Sequence, residues 1–155
     1  MKYFLPLLLS FLSRFTFAQV NSVMPPEANH FYQNAMVSIK PDVKNLIEKN
    51  ANKLVGHSVN VDSLIRELHK NAFLITGNEK DLEAVTVLIL VQISKNTDKE
   101  LKDLVIHTSH SDTNNEKYKT TAALLAQNKS NIAETVSLLM KKISGSAEIV
   151  IDKLK

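Results

Sequence analysis

The chain has 155 residues, of which 44% are hydrophobic and 23% are charged, and this composition is typical of one ordinary globular domain. It contains no cysteine, which excludes disulfide scaffolds, cysteine-ligated zinc, iron–sulfur clusters and thiol nucleophiles. Three glycines are too few for a phosphate-cradling loop or a dinucleotide-binding fingerprint, and the formal net charge is +3.

Residues 1–18 have the pattern of a secretory signal peptide. A basic residue precedes an apolar run from Tyr3 to Leu12, and Thr16 and Ala18 are small enough for a signal peptidase site. We expect cleavage after Ala18, with an uncleaved anchor and a buried N-terminal helix as the alternatives. The apolar run is too short to span a bilayer. The sequence therefore predicts export, either to a periplasm or to the extracellular medium.

Cleavage also changes the charge balance. Removal of Lys2 and Arg14 from the 19 basic residues leaves 17 against 16 acidic side chains, a net charge of +1. Arg66 is then the single arginine, although arginine is the preferred residue for bidentate phosphate and base contacts. We therefore expect no nucleic-acid partner and no membrane span in the mature chain.

After a short extended tail at 19–25, the sequence predicts a single helical domain at 26–155. Proline at position 26 and glutamate at position 27 are typical of a helix start. Pro41 predicts either two helices or one kinked helix. Gly56 predicts a helix end, and Asn60 predicts the cap of the next helix.

The segment 82–93 is apolar on nearly every side, which predicts a helix buried at the centre of a bundle. The alternative is a strand, because valine, threonine and isoleucine favour sheets. We favour the helix, since the rest of the chain offers poor partner strands. The predicted fold class is all-α, a small helical bundle of about five to seven helices around this central apolar helix.

Further along, Thr97 and Glu100 form a capping-box pattern, which predicts that a new helix begins there. Residues 107–115 are polar and predict a loop. The last helical region has expected breaks at 128–131 and at 144–146. The first of these contains a formal N-glycosylation sequon at Asn128, which matters if the source is eukaryotic.

The candidate metal ligands are His107, His110 and Asp112. Two imidazoles three residues apart on a helical turn can share a metal ion, and a nearby carboxylate can add an oxygen ligand. The alternative is a solvated helix terminus, where histidine also complements the helix dipole.

The candidate interaction surface is the cluster of Phe31, Tyr32 and Met36 on the first helix, because aromatic residues and methionine are enriched at interface centres. The alternative for these side chains is packing against the central helix. Burial of both rings in a monomeric protein would remove this cluster as an interface.

The predicted function is that of an exported, non-enzymatic helical protein that binds a macromolecular partner, for example another protein, or self-associates, and we predict no cofactor. A small-ligand or metal carrier is the first alternative. An enzyme with a site assembled from separate helices is the second. The carboxylates Glu79, Asp81 and Glu83 could serve glycoside chemistry, but helix capping and dipole matching explain them fully.

Overall fold

The computed structural model of the protein describes residues 23–70, 79–108 and 115–155. The predicted signal peptide therefore lies outside the described residues. Within those ranges the chain forms six helices and no strand, which confirms the all-α prediction. The helices are α1 (Pro26–Ser38), α2 (Pro41–Leu54), α3 (Val61–His69), α4 (Glu79–Thr108), α5 (Asn115–Ile143) and α6 (Ala147–Leu154).

Helix α4 is the centre of the bundle. It packs against each of the other five helices, and every residue from Asp81 to Val91 is buried. Thr86, in the middle of this run, donates its hydroxyl to the backbone carbonyl of Leu82 at 2.7 Å, so its burial leaves no unsatisfied donor. The predicted central helix is confirmed, and a strand is wrong for this segment.

Despite this apolar centre, none of the helices within the described residues combines the length and the apolar character needed to cross a bilayer.

Pro41 separates two helices rather than bending one. Lys40 has φ −57° and ψ 147°, the extended conformation that a following proline imposes, and Pro41 then starts α2. The backbone N–H of Lys40 donates to the carbonyl of Leu154 at 2.9 Å, which ties this junction to the end of α6. Ahead of α1, the described part of the predicted tail is not helical, and Met24 is buried against the core.

The predicted signals around α3 are confirmed. Gly56 follows α2 with φ +76°, a left-handed conformation that favours glycine. Asn60 caps α3, since its Oδ1 accepts a hydrogen bond from the backbone N–H of Ser63 at 2.9 Å.

The predicted helix start at Thr97 is wrong, because α4 continues without interruption to Thr108. Thr97 is 1% exposed and its Oγ1 donates to the carbonyl of Ile93 at 2.9 Å. A threonine hydroxyl can bond the carbonyl four residues earlier as well as it can cap a helix. The capping-box pattern with Glu100 therefore lies inside α4.

The predicted break at 128–131 is also wrong, because α5 is continuous there. Asn128 donates its amide to the carbonyl of Gly56 at 3.2 Å, and Lys129 pairs with Asp98 of α4. These polar side chains bond to other elements, so they do not compete with the helical backbone. The break at 144–146 is confirmed, and it separates α5 from α6.

Candidate interaction surface

The predicted interaction cluster on α1 lies largely inside the fold. Phe31 is 4% exposed, Tyr32 is 8% exposed, and Met36 is half-buried against the same core. This is the alternative given above for these residues. The interface prediction for this cluster also depends on whether the protein is monomeric in solution, so a binding role for it stays a prediction. More exposed apolar surface lies elsewhere.

A chain of polar side chains links α1, α4 and α2. The hydroxyl of Tyr32 donates to Gln92, Gln92 Nε2 donates to Asn96 Oδ1 at 2.8 Å, and Asn96 Nδ2 donates to Asn52 Oδ1 at 2.8 Å. Burial, and secondly the charge of Glu48, raise the pKa of the Tyr32 hydroxyl, which keeps it protonated as a donor. This network joins three helices, and sequence periodicity missed it because Tyr32 and Asn52 are distant in sequence from Gln92 and Asn96.

The predicted metal cluster falls mostly outside the described residues. His110 and Asp112 lie there, and for His107 the structure describes the backbone in the last turn of α4 but not the side chain. In the part of the chain that is described, no group of three or more histidine, aspartate or glutamate side chains is arranged to hold a metal ion. Metal binding by His107, His110 and Asp112 stays a prediction.

Two buried carboxylates near the start of α4 each meet a lysine from another helix. Asp81 accepts from Lys153 Nζ of α6 at 3.2 and 3.3 Å, and its side chain is 1% exposed. Glu83 Oε1 accepts from Lys142 Nζ of α5 at 3.2 Å, and its side chain is 10% exposed. Helix capping and dipole matching therefore do not fully explain Asp81 and Glu83, because each of them also forms an ion pair with another helix.

The strongest candidate for a binding surface is the outer face of α5. Within residues 120–140, all of which the structure describes, Glu134 is the one exposed charged residue, although 23% of the chain is charged. Depletion of charge is the compositional signal that distinguishes interface centres from other surface. We call this surface the α5 face, and its exposed residues are Thr120, Thr121, Ala123, Leu124, Ala126, Gln127, Asn131, Glu134 and Leu138.

Two exposed leucines stand on the α5 face, one on either side of Asn131. Leu124 is 55% exposed and Leu138 is 63% exposed. Positions seven residues apart drift by only about 20° around a helix, so all three side chains share one side of α5. The two leucines are about 21 Å apart along the axis. Asn131 Oδ1 accepts from Gln127 Nε2 at 3.0 Å, which holds the amide at the middle of the face.

Exposed lysines mark both ends of the α5 face. Lys117 and Lys119 precede it, and Lys141 and Lys142 follow it. A charge-poor centre with charged ends matches the usual division of an interface into a core and a polar rim.

A shallow cleft of about 60 Å³ continues the α5 face towards the connection between α2 and α3. It is lined by residues that include Val59, Asn131 and Thr135. Sites for drug-sized ligands occupy about 300–1,000 Å³, so this cleft is several times too small for such a ligand. The cleft therefore does not support the ligand-carrier alternative. It does make the surface next to the α5 face less flat.

Asn128, the residue of the sequon that would carry a glycan, has a structural role. Asn128 is 8% exposed, and its Nδ2 is the donor to Gly56 described above. A glycan on this nitrogen would replace that hydrogen bond and would have to leave a buried position. The folded chain therefore does not present Asn128 as a glycan acceptor.

Sequence reasoning missed the leucines of the α5 face. Each belongs to a doublet, Leu124-Leu125 and Leu138-Leu139, and the second leucine of each doublet is buried. A doublet supplies one leucine more than a single apolar stripe needs. The recurrence of leucine, asparagine and leucine at intervals of seven was the available signal.

Comparisons with known proteins identify no relative from which a function could be inferred. No protein-family model, no curated protein and no solved structure matches it. The function proposed below is therefore inferred from the positions, exposure and charge of its own residues.

Proposed function

We propose that the chain is an exported, non-enzymatic helical protein that acts by binding a macromolecular partner through the α5 face. The observation that carries the binding role is the charge-poor surface with two exposed leucines. Export is supported by the signal-peptide pattern of residues 1–18. The fold supplies a rigid support, because α5 is packed against α4 along the bundle.

The energetics favour Leu124 and Leu138 as the anchors of such a contact. Full burial of a leucine side chain contributes about 1.5–3 kcal/mol relative to exposure, and each of these has more than half of its surface to bury. Because the neighbouring exposed residues are mainly small or uncharged, a partner covers the leucines with little desolvation of charge.

The export half of the proposal predicts a shortened chain. Protein recovered from the exported fraction of cells that make it is expected to have the intact mass of a chain that begins at Gln19. Ala18→Arg is the matched control, because an arginine does not fit the small-residue position of the cleavage site and the precursor should accumulate. Recovery of exported protein that retains residues 1–18 would contradict cleavage and favour the anchor.

The binding half of the proposal predicts a covalent adduct at the α5 face. A photo-crosslinking amino acid at Leu138 is expected to give an adduct of higher mass when cells that make the protein are irradiated. The matched control is the same amino acid at Val37, which is 83% exposed but lies on α1. Mass spectrometry of the adduct identifies the partner and the partner residue.

The comparison of positions decides the proposal. Adducts at Leu138 and Leu124, with little at Val37, support a specific surface. Equal yields at all three positions reflect exposure alone and would overturn a binding role for the α5 face. An absence of adducts at both leucines would do the same.

A further inference from the structure

We propose that the outer ends of α4 and α5 form an arm that opens and closes while the rest of the bundle stays folded. The arm comprises residues 98–108 of α4 and 115–124 of α5. Its independence follows from the burial of its side chains, from the places where other elements contact α4 and α5, and from the narrow apolar contact between its two helices.

Burial ends at the base of the arm on both helices. Thr97 is 1% exposed and Leu125 is 3% exposed, and both stand next to the arm. Among the side chains that the structure describes at 98–106 and 116–124, none is buried. Most of the stability of a helix in a protein comes from the packing of its apolar side, so the arm gains much less from packing than the rest of α4 does.

Contacts from other parts of the bundle meet α4 and α5 at the base of the arm. Asn96 of α4 donates to Asn52, which lies two residues before the end of α2. Asn128 of α5 donates to the carbonyl of Gly56, which follows α2. Both contacts are within about one helical turn of the base, on the side of the bundle. They fix the base of the arm and leave its outer part to the contact between α4 and α5.

Inside the arm, the two helices meet along one narrow apolar seam. Its half-buried side chains are Leu101, Leu104, Tyr118 and Ala122. The ion pairs of Lys129 with Asp98 and of Lys142 with Glu83 align the helices so that Leu104 lies about level with Ala122. Each half of the arm has about ten residues, and isolated helices shorter than about 12–15 residues are marginal in water.

Opening of the arm therefore exposes little apolar surface, whereas unfolding of the bundle exposes its whole core. Local openings of this kind cost less free energy than global unfolding. The exposed residues of the α5 face from Thr120 to Leu124 lie on the arm, so opening changes that end of the face and leaves Leu138 in place. This consequence rests on the proposed function, and it implies that a partner that covers both leucines favours the closed arm.

Hydrogen exchange of the purified protein, resolved along the chain by mass spectrometry, tests the arm. The backbone amides at 102–106 and 119–124 are compared with those at 86–93 and 129–140. All of them lie inside helices, so a difference in their exchange reports opening and not a lack of helical hydrogen bonds. The arm amides are expected to exchange at least about 100-fold faster than the bundle amides. Equal rates would overturn the arm.

Leu88→Ala tests whether the arm opens independently. Leu88 is completely buried in the bundle part of α4, so its truncation destabilises the state with a closed arm and the state with an open arm equally. Exchange of the bundle amides should accelerate at least about thirtyfold, while that of the arm amides should stay within about twofold. Equal acceleration in both would show that the arm opens only when the whole bundle unfolds.

A milder variant covers the case in which Leu88→Ala does not fold. Ile89→Val removes one buried methylene from the same helix, and far-UV circular dichroism verifies its folding. It should accelerate exchange of the bundle amides about threefold to tenfold and leave the arm amides unchanged. Acceleration of the arm amides by the same factor would again overturn independent opening.

Leu104→Ala tests the seam. Truncation of this half-buried side chain should accelerate exchange of the arm amides at least about fivefold. Val105→Ala is the matched control, because Val105 is 67% exposed and alanine is the better helix former, so exchange should not accelerate. An arm that exchanges no faster after Leu104→Ala would show that the seam does not hold it closed.

These measurements use the protein alone, so they are separate from the test of the proposed function. If the arm amides exchange as slowly as the bundle amides, the arm is overturned and the photo-crosslinks at Leu124 and Leu138 still decide the α5 face. If those crosslinks join no partner, the proposed function fails and the exchange pattern still decides whether the arm opens.

Discussion

Leu88→Ala is expected to lower the free energy of unfolding by about 2–5 kcal/mol. Leu88 is completely buried in the first half of α4, which packs against every other helix in the described residues. Truncation removes apolar contact on several sides and leaves a cavity that the surrounding helices can close only in part. Urea denaturation followed by far-UV circular dichroism, at the same protein concentration for both proteins, measures the change.

Val37→Ala is the matched control for this truncation. It also removes an apolar side chain from a helix, but Val37 is 83% exposed, so the change should stay within about 0.5 kcal/mol. Similar losses for the two variants would mean that the effect of Leu88→Ala does not come from burial. The central position of α4 would then be contradicted.

The burial of α4 is also the part of the fold that the sequence predicts best. A helix that is apolar on nearly all sides is stable at the centre of a helical bundle, where other helices cover each of those sides. The signals at Pro41, Gly56 and Asn60 were equally informative, because each acts through its own backbone or a neighbouring N–H. Such signals need no knowledge of the rest of the chain.

The errors concern polar residues whose hydrogen bonds go in a direction that the sequence does not show. Thr97 could cap a helix or bond within one, and the structure shows the second. Asn128 could end a helix through its own backbone, but it bonds to Gly56, which is distant in sequence. The local sequence pattern is the same whether such a side chain caps a helix or bonds elsewhere, so the arrangement of the other helices decides which of the two occurs.

The α5 face was out of reach for a related reason. Helical spacing identifies which residues can share a side of α5, but not how many sides other helices cover. In the doublets Leu124-Leu125 and Leu138-Leu139, either leucine could have turned inward. The structure exposes the first leucine of each doublet and buries the second.

Lys153→Met is expected to lower the free energy of unfolding by about 2–3 kcal/mol. The variant keeps most of the apolar length of the side chain but removes the ammonium group that meets both carboxylate oxygens of Asp81. Asp81 is 1% exposed, so water cannot replace the lost cation without opening the junction of α4 and α6. Chemical denaturation of the two proteins under the same conditions measures the difference.

Lys155→Met and a double variant make this prediction specific to the buried carboxylate. Lys155 pairs with Asp152, whose side chain is 70% exposed, so its loss should change stability by less than about 0.5 kcal/mol. Asp81→Asn combined with Lys153→Met removes both charges and should recover part of the lost stability, because the buried side chain at position 81 is then neutral and no longer calls for the ammonium of Lys153. Equal effects for the two lysine variants, or no recovery in the double variant, would show that this ion pair does not hold α6 against α4.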